Sequence, residues 1–296
     1  MKSLSLISLL CCAGFAAGAD SEWVTVGDPG NPPDHTGHGA VASTFQIARF
    51  ETTVAQYEEF LNAVAATDRH GLWNRGTGIE RRGAAGAYHY TAEAGREQHP
   101  LVSVLFLDAL RFANWHHHGR GSATTESGAY DLSQGDLATR QPGARYAVAS
   151  EDEWYKAAYH QPPEQGGPLS GYWLFPTRSD EAPTFRKAGA TEANSACFEP
   201  SNRGGFRFMP VGSYVNSASF YGTYDQGGNV WEWTEGIRFS RQRSLRGGSG
   251  AHTVTKLRSV TQMGSSPTLR FPDTGFRLTR RVPTAPDNQV STRISP

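Results

Sequence analysis

The segment Tyr221 to Trp233, YGTYDQGGNVWEW, constrains the fold of this chain more than any other stretch. Its glycines allow sharp turns, and its two tryptophans bring large apolar groups into a short run. In an extended backbone Trp231 and Trp233 share one face, and Val230 and Glu232 share the other. We therefore expect the tryptophans in a core and the Glu232 carboxylate beside the glycine turn. There it either binds a hard cation such as calcium or forms a salt bridge or a cap.

Six motifs in a fixed order carry a resemblance to a known family. GGNVWEW is one, and the others are ETTVAQYEEFLNAV (51–64), HPLVSVLFLDALRFANW (99–115), VASEDEWYKAAY (148–159), LRGGSG (245–250) and GFRL (275–278). Together they resemble the formylglycine-generating enzyme family, also called the sulfatase-modifying factor family. The resemblance implies an irregular α+β fold, related to C-type lectin-like folds, with little regular secondary structure.

The beginning of the chain predicts export. Residues 1–19 contain one Lys, then an apolar run, then small residues ending at Ala19, which is the pattern of a secretory signal peptide. The apolar run is too short to span a bilayer, and no later run approaches that length. We therefore expect a secreted or periplasmic protein with no membrane span. One domain is predicted over residues 20–283, followed by a disordered tail over residues 284–296.

Cysteine and charge content limit the covalent links and the classes of binding partner that the protein can have. Cys11 and Cys12 leave with the signal peptide, and a lipid anchor there fits poorly because Leu10 or Cys11 would stand where a small residue is required. The mature chain keeps only Cys197, so an intramolecular disulfide cannot form. Lys plus Arg equals Asp plus Glu, 28 each, so no net field favours nucleic acid or an anionic membrane. We expect a protein or small-molecule partner.

Local patterns predict a few regular elements in the first half of the chain. Thr53 and Ser150 each stand three residues before a Gln or Glu, which is the pattern of a capping box. Residues 20–42 and 70–98 carry turn signals, and only a short strand near Tyr88 is expected there. The second half is rich in Gly, Pro, Asn and Ser, which predicts short strands joined by long loops. The other predicted elements are a strand in residues 43–50 and helices beginning at Thr53, Phe106 and Ser150.

The resemblance also implies a calcium site in the GGNVWEW run. In formylglycine-generating enzymes this ion is held by a side-chain oxygen, two backbone carbonyls and a glutamate, which correspond to Asp225, Gly228, Val230 and Glu232. The family usually has Asn at the first position, and the Asp of this chain adds negative charge. A second family site would begin at Asn194 and the Ser195 carbonyl. Its usual aspartate falls near Gly204 or Gly205, where this sequence has no acid.

The region of the family's oxidase chemistry differs in this chain. Formylglycine-generating enzymes oxidise a cysteine with copper(I) held by two thiolates that follow a Gly-Gly-Ser, and soft copper(I) selects soft ligands. Here residues 247–249 keep the Gly-Gly-Ser, but the thiolate positions carry His252 and Leu257. Copper is therefore not expected. Ser249 and His252 are the candidate catalytic residues, unless Ser249 only stabilises a glycine turn and His252 is a relic.

Two functions of different class follow from these observations. In the first, the protein is an exported binding or assembly module without oxidase chemistry, built on a calcium-stabilised loop scaffold. In the second, it is a family oxidoreductase that modifies an exported protein or a small molecule without the copper–thiolate pair. The fold alone does not decide whether the protein is an enzyme, because such scaffolds host several activities.

Overall fold

The computed structural model describes residues 22–201, 207–239 and 241–282. The predicted signal peptide and tail lie outside these residues, so both stay predictions. No helix in the described part of the chain is long and apolar enough to cross a membrane. The helices are α1 (Val54–Val64), α2 (Phe106–His117) and α3 (Glu151–Tyr159). The strands are β1 (Trp23–Val26), β2 (Phe45–Ala48), β3 (Ile79–Arg82), β4 (His89–Ala92), β5 (Tyr146–Val148), β6 (Thr184–Phe185), β7 (Ser195–Ala196), β8 (Trp231–Arg238), β9 (Gln242–Arg246), β10 (Met263–Ser265), β11 (Thr274–Phe276) and β12 (Leu278–Arg281).

Two four-stranded sheets carry the fold. The first has the order β1-β2-β12-β5 and is antiparallel throughout. The second has the order β10-β9-β8-β11, and its β11 runs parallel to β8. That parallel pairing sets Thr274 opposite Trp231 and Phe276 opposite Trp233. The GGNVWEW and GFRL motifs are therefore neighbours in space, although they are far apart in the chain.

The capping boxes predicted for α1 and α3 are confirmed. The Gln56 amide donates to the Thr53 hydroxyl at 3.3 Å, and the Thr53 amide donates to the Gln56 side chain at 2.9 Å. At α3 the Glu153 amide donates to the Ser150 hydroxyl at 3.1 Å, and the Glu153 carboxylate accepts from the Ser150 amide at 2.8 Å. Each box satisfies two backbone donors that have no partner inside the helix, which fixes where the helix begins.

Both faces of β8 are buried. Trp231 and Trp233 are at most 1% exposed, as the alternation predicts, and Glu232 between them is also fully buried. Burial on both sides follows because the main apolar cluster packs against the tryptophan face, while α3 packs against β8 and its Trp154 bonds to Glu232 on the other face. The Glu232 carboxylate thus points into the protein interior, where it needs a charged or hydrogen-bonding partner.

Two strands lie where the sequence predicts only loops. β1 falls inside residues 20–42 and pairs with β2 along its whole length. β3 falls inside residues 70–98 and forms a hairpin with β4. Turn residues dominate the composition of both stretches, and the strands are only four residues long, so the local pattern hides them. β3 also keeps charged residues because part of it faces solvent.

Candidate functional site

The glycine turn before β8 is held by close backbone contacts. Gly228 has a φ of +95°, and a Cβ there would lie 2.0 Å from the Cys197 carbonyl oxygen. The Gly228 amide donates to the Gly247 carbonyl at 2.9 Å, and the Asn229 amide donates to the Cys197 carbonyl at 2.9 Å. Only glycine fits this position, so the turn brings the segment around Asp225 against the Gly-Gly-Ser run.

Glu232 forms a fully buried ion pair with Arg277. The Arg277 Nε donates to Glu232 Oε2 at 2.7 Å and its Nη2 donates to Oε1 at 2.7 Å, while Trp154 Nε1 donates to Oε2 at 2.8 Å. Both charged side chains are 0% exposed. The two guanidinium bonds form the parallel fork that arginine makes with carboxylates. The other N–H groups of Arg277 donate to the carbonyls of Ala48, Arg49 and Tyr224, so all five are used.

Asp225 lies outside this ion pair. Its Oδ2 accepts from the Gly212 amide at 2.6 Å, and burial raises the pKa of the Asp225 carboxyl to about 6. Asp225 and Ser195 line one small polar cavity of about 10 Å³, which has room for a single water-sized particle. The structure therefore brings one residue of each predicted calcium site to the same cavity.

The predicted calcium ligands fit a cation unequally. Glu232 does not fit while Arg277 is in place, because the guanidinium occupies both carboxylate oxygens and repels a second cation beside it. Asp225 fits better, since its carboxylate forms no ion pair among the described residues, although the Arg277 charge also acts on it. Among the described residues, no group of three or more His, Cys, Asp and Glu side chains is placed to hold a metal. A calcium ion would depend on Asp225 and on the carbonyls of Gly228 and Val230.

Asn194 already uses its amide group to hold a loop. Its Oδ1 accepts from the Thr177 hydroxyl at 2.6 Å, and its Nδ2 lies 3.2 Å from the Glu181 carbonyl. Ser195 is buried, and its amide donates to the Ser217 hydroxyl at 2.9 Å. Residues 204 and 205, where the family aspartate would fall, lie outside the described residues. Hydrogen bonds thus hold the loop around Asn194 in place, as a calcium ion would at the second family site.

Ser249 joins His252 to a carboxylate that the sequence did not suggest. The Ser249 Oγ lies 2.7 Å from His252 Nδ1 and donates to Asp273 Oδ2 at 2.7 Å. The Ser249 hydroxyl thus bridges the imidazole and the carboxylate. Trp231 Nε1 donates to the same ring nitrogen, Nδ1, at 3.3 Å. Among the described residues, the other ring nitrogen, Nε2, makes no hydrogen bond.

This arrangement is not a serine-nucleophile triad. In such a triad the imidazole lies between serine and carboxylate, whereas here Ser249 lies between His252 and Asp273. Ser249 is also fully buried, while the His252 side chain is 36% exposed. We call the hydrogen-bonded set His252, Ser249 and Asp273 the relay. Its reactive end is therefore the imidazole, which can accept a proton or bind one metal ion through Nε2.

Leu257, at the other position where the family has a thiolate, is buried in an apolar cluster. Leu257 is 0% exposed and packs in an apolar cluster with Phe175, Ala196 and Phe198. Cys197 is a free thiol, 1% exposed, and burial raises its pKa to about 12. The described residues offer no pair of thiolates, so the residues present do not fit copper(I).

Three functional groups were missed from the sequence: Glu51, Asp273 and Arg277. Glu51 is 1% exposed, and its two carboxylate oxygens have no hydrogen-bond partner among the described residues. Burial, followed by the nearby Asp225 carboxylate, raises the pKa of Glu51 well above its usual range. A signal did exist, because Glu51 opens one family motif and Arg277 lies in another. Nothing in the sequence pairs either of them with a partner.

Comparison with known proteins gives the family. A family model described as the sulfatase-modifying factor enzyme 1-like domain matches residues 15–282. The chain belongs to this family. The predicted resemblance and the irregular α+β fold are therefore confirmed. No curated protein matches the sequence significantly.

Solved structures of this fold resemble the chain at low sequence identity. The structure of CarF is 21% identical, with a TM-score of 0.56 over 88% of this chain and 98% of that one. Treponema denticola variable protein 1 is 16% identical, with a TM-score of 0.51 over 88% of this chain and 95% of that one. PvdO from Pseudomonas aeruginosa is 19% identical, with a TM-score of 0.48 over 88% and 91%. Identities this low establish the fold and leave the activity to the site itself.

Proposed function

We propose that this sulfatase-modifying factor family protein is an exported binding or assembly module without oxidase chemistry. The main support for this proposal comes from the residues at the family's copper site. His252 is bonded to Ser249, Leu257 is buried in an apolar cluster, and the only described thiol, Cys197, is itself buried. Copper(I) held by two thiolates has no ligand pair there, and oxygen activation through that pair has no basis.

The test uses copper-loaded mature protein and a cysteine peptide carrying the sulfatase motif, incubated under air. We expect the peptide mass to stay unchanged, whereas a family oxidase with both thiolates converts it in parallel. Turnover that persists in both the Cys197→Ser and the His252→Ala variants would contradict the proposal. The matched pair of variants separates a thiol-dependent reaction from an imidazole-dependent one.

A second candidate function rests on the relay of His252, Ser249 and Asp273. A partly exposed imidazole joined through Ser249 to a carboxylate suits a proton acceptor or a nitrogen-ligated metal oxidase. Turnover kept in Cys197→Ser but lost in His252→Ala supports this candidate. An Asp273→Asn variant should then reduce the rate, because Asp273 bonds to Ser249 and its carboxylate lies 3.6 Å from the His252 Nδ1.

We also propose that calcium stabilises the protein through Asp225 and the carbonyls of Gly228 and Val230, with Glu232 left to Arg277. A bound ion raises the melting temperature by linkage. Chelation with EDTA should therefore lower the melting temperature, and Asp225→Asn should remove that sensitivity. Glu232 variants are unsuitable for this test because they break the ion pair. A melting curve that ignores both chelator and excess calcium overturns the calcium proposal.

Export is the part of the proposal that rests on residues 1–19 alone. The pattern of a signal peptide predicts that the mature chain begins near Asp20. Intact-mass measurement of protein recovered outside the cytoplasm should give that start. A chain that keeps Met1, or that carries a lipid on Cys11 or Cys12, would contradict export by cleavage after Ala19.

A further inference from the structure

A cavity of about 430 Å³ opens between the N-terminal ends of β1 and α1 and the C-terminal end of α2. Its size falls in the range of small-molecule sites. It lies apart from the relay, since neither Ser249 nor His252 lines it. It is also distinct from the small polar cavity at Asp225, with which it shares no lining residue. A ligand here would therefore occupy a site of its own.

Aromatic rings form much of the cavity wall. Trp23, Phe50 and His116 line it and are half-buried, so each keeps part of its surface accessible. Burial, followed by the Arg120 charge, lowers the pKa of His116 to about 3, so this imidazole is uncharged at neutral pH. It packs as an aromatic ring, with its centroid 4.7 Å from that of Phe112. Such rings favour stacked or edge-to-face contacts with a further ring.

The walls of the cavity offer a ligand little charge. Glu59 and Arg120 form an ion pair with each other. The carboxyl oxygens of Glu51 are buried, and burial, followed by the nearby Asp225 carboxylate, raises the pKa of Glu51 well above its usual range. Glu51 therefore brings neither an accessible oxygen nor a charge, and Glu22, the remaining acid of the lining, is exposed to solvent. An ion that entered would lose its hydration without gaining a counter-charge inside.

Two glutamines supply hydrogen-bond donors to the cavity. Gln56 accepts from the Thr53 amide through its Oε1 at 2.9 Å, and its Nε2 makes no hydrogen bond to the described residues. Gln98 also lines the cavity and is exposed, and its side-chain amide makes none in the same part of the chain. Both amide groups can therefore donate to an oxygen of a ligand without breaking an existing bond.

We propose that this cavity binds an uncharged aromatic molecule, whose rings pack on Trp23, Phe50 and His116 and whose oxygen accepts a hydrogen bond from Gln56 or Gln98. Contacts between rings supply the attraction, and the lack of an accessible unpaired charge inside the lining selects against ions. The inference deepens the proposed binding function, on which it rests, by giving the chemical class of the ligand.

The probe is 2-naphthol, which combines fused aromatic rings with an uncharged hydroxyl group. Its controls keep a similar size and change one property each. The (2-naphthyl)methylammonium ion adds a positive charge, 2-naphthalenesulfonate adds a negative charge, and 2-decalol has saturated rings.

Titration calorimetry on the mature full-length protein at neutral pH should show saturable binding of 2-naphthol. Each ion should bind roughly tenfold more weakly or worse, because its lost hydration is not replaced. The decalol should bind roughly threefold to tenfold more weakly, because it cannot make contacts between aromatic rings. Absence of 2-naphthol binding, or equal or tighter binding of any of the three controls, overturns the inference.

Two variants locate the site. Ala55 is half-buried in α1 and lines the cavity, so the ring added by Ala55→Phe should take the place of the ligand and weaken 2-naphthol by roughly tenfold or more. Ala66→Phe adds the same ring at an exposed residue outside the lining and should leave the affinity unchanged. Phe50→Leu keeps an apolar side chain but removes a ring, so it should reduce the preference for 2-naphthol over the decalol.

Normal melting transitions in these variants show that a loss of binding is not unfolding, and Phe50→Leu decides if Ala55→Phe does not fold. An affinity and a preference that survive in the folded variants overturn the inference. Peptide turnover in the copper assay refutes the non-oxidase function, whereas absent turnover together with absent 2-naphthol binding refutes the ligand class alone.

Discussion

Glu232 and Glu51 are both buried, and both interact electrostatically with Arg277, but they differ in their hydrogen-bond partners. Glu232 receives two bonds from Arg277 and one from Trp154, and the arginine is itself fully satisfied. Glu51 has no hydrogen-bond partner in the described structure and lines a cavity. Of these two glutamates, only Glu232 therefore receives arginine and tryptophan donors. A buried carboxyl without a partner is costly to ionise, and the pKa of Glu51 is raised well above its usual range accordingly.

A third buried carboxylate is intermediate. Asp108 in α2 is 0% exposed, and its Oδ2 accepts from Arg270 at 2.9 Å and from the Leu105 amide at 3.0 Å. Its Oδ1 has no hydrogen-bond partner among the described residues. Three buried acids thus form a series of full, half and absent pairing, and each member responds differently to mutation or to pH.

Removing Arg277 should have the largest effect. Arg277→Met leaves the Glu232 charge buried with only the Trp154 donor, and breaking one side of a buried pair costs roughly 3–5 kcal/mol. Chemical denaturation should show this loss in the free energy of unfolding. Arg277→Lys should recover only part of it, because an ammonium cannot make the two-pronged contact. If Arg277→Met lowers the free energy of unfolding by no more than the substitution of a surface arginine does, the ion pair adds nothing to stability.

Asp108 should make stability fall as the pH rises. Burial raises the pKa of Asp108 to about 6, so the unfolded chain, with an ordinary value near 4, loses its proton first. The native state holds the extra proton between these values, and stability should drop by about 2 kcal/mol from pH 4 to pH 6. Asp108→Asn should remove this component of the slope, and Glu97→Gln should leave the slope unchanged. Denaturation curves at several pH values measure the difference.

Glu51 should give the smallest effect, and one of opposite sign. Burial holds the pKa of Glu51 well above its usual range, so folding keeps a proton on a carboxyl that ionises in the unfolded chain. Glu51→Gln removes that cost, so the free energy of unfolding at neutral pH should rise by roughly 1–2 kcal/mol. Thermal and chemical denaturation of the EDTA-treated variant provide the measurement. A destabilised variant would show that Glu51 has a partner in the native protein, and the contrast with Glu232 would disappear.

Features that depend on neighbours in the sequence were predictable. Both capping boxes involve residues three positions apart, and burial of Trp231 and Trp233 follows from alternation within one strand. The family and its fold followed from six ordered motifs. β1 and β3 were missed because each is four residues long and becomes a strand only through its partner strand.

The pairing of distant side chains could not be read from the sequence. Nothing near Glu232 indicates that Arg277 takes both of its oxygens, which is why the resemblance assigned it to calcium. The order of the relay was equally hidden, since Asp273 meets Ser249 only through the pairing of β8 with β11. The family motifs indicated Ser249 and His252 as candidate residues. Only the three-dimensional arrangement showed that the buried serine is not a nucleophile.

The position of β12 sets the order in which the molecule can be assembled. β12 is almost the last described segment of the chain, yet it lies between β2 and β5 in the first sheet. β11, just before it, closes one edge of the second sheet and is followed directly by Arg277. A nascent chain that stops before Thr274 therefore lacks an interior strand of one sheet, an edge strand of the other and the counter-ion of Glu232. Synthesis must pass β11 and β12 before the two sheets can close, so a chain that ends earlier has neither sheet finished.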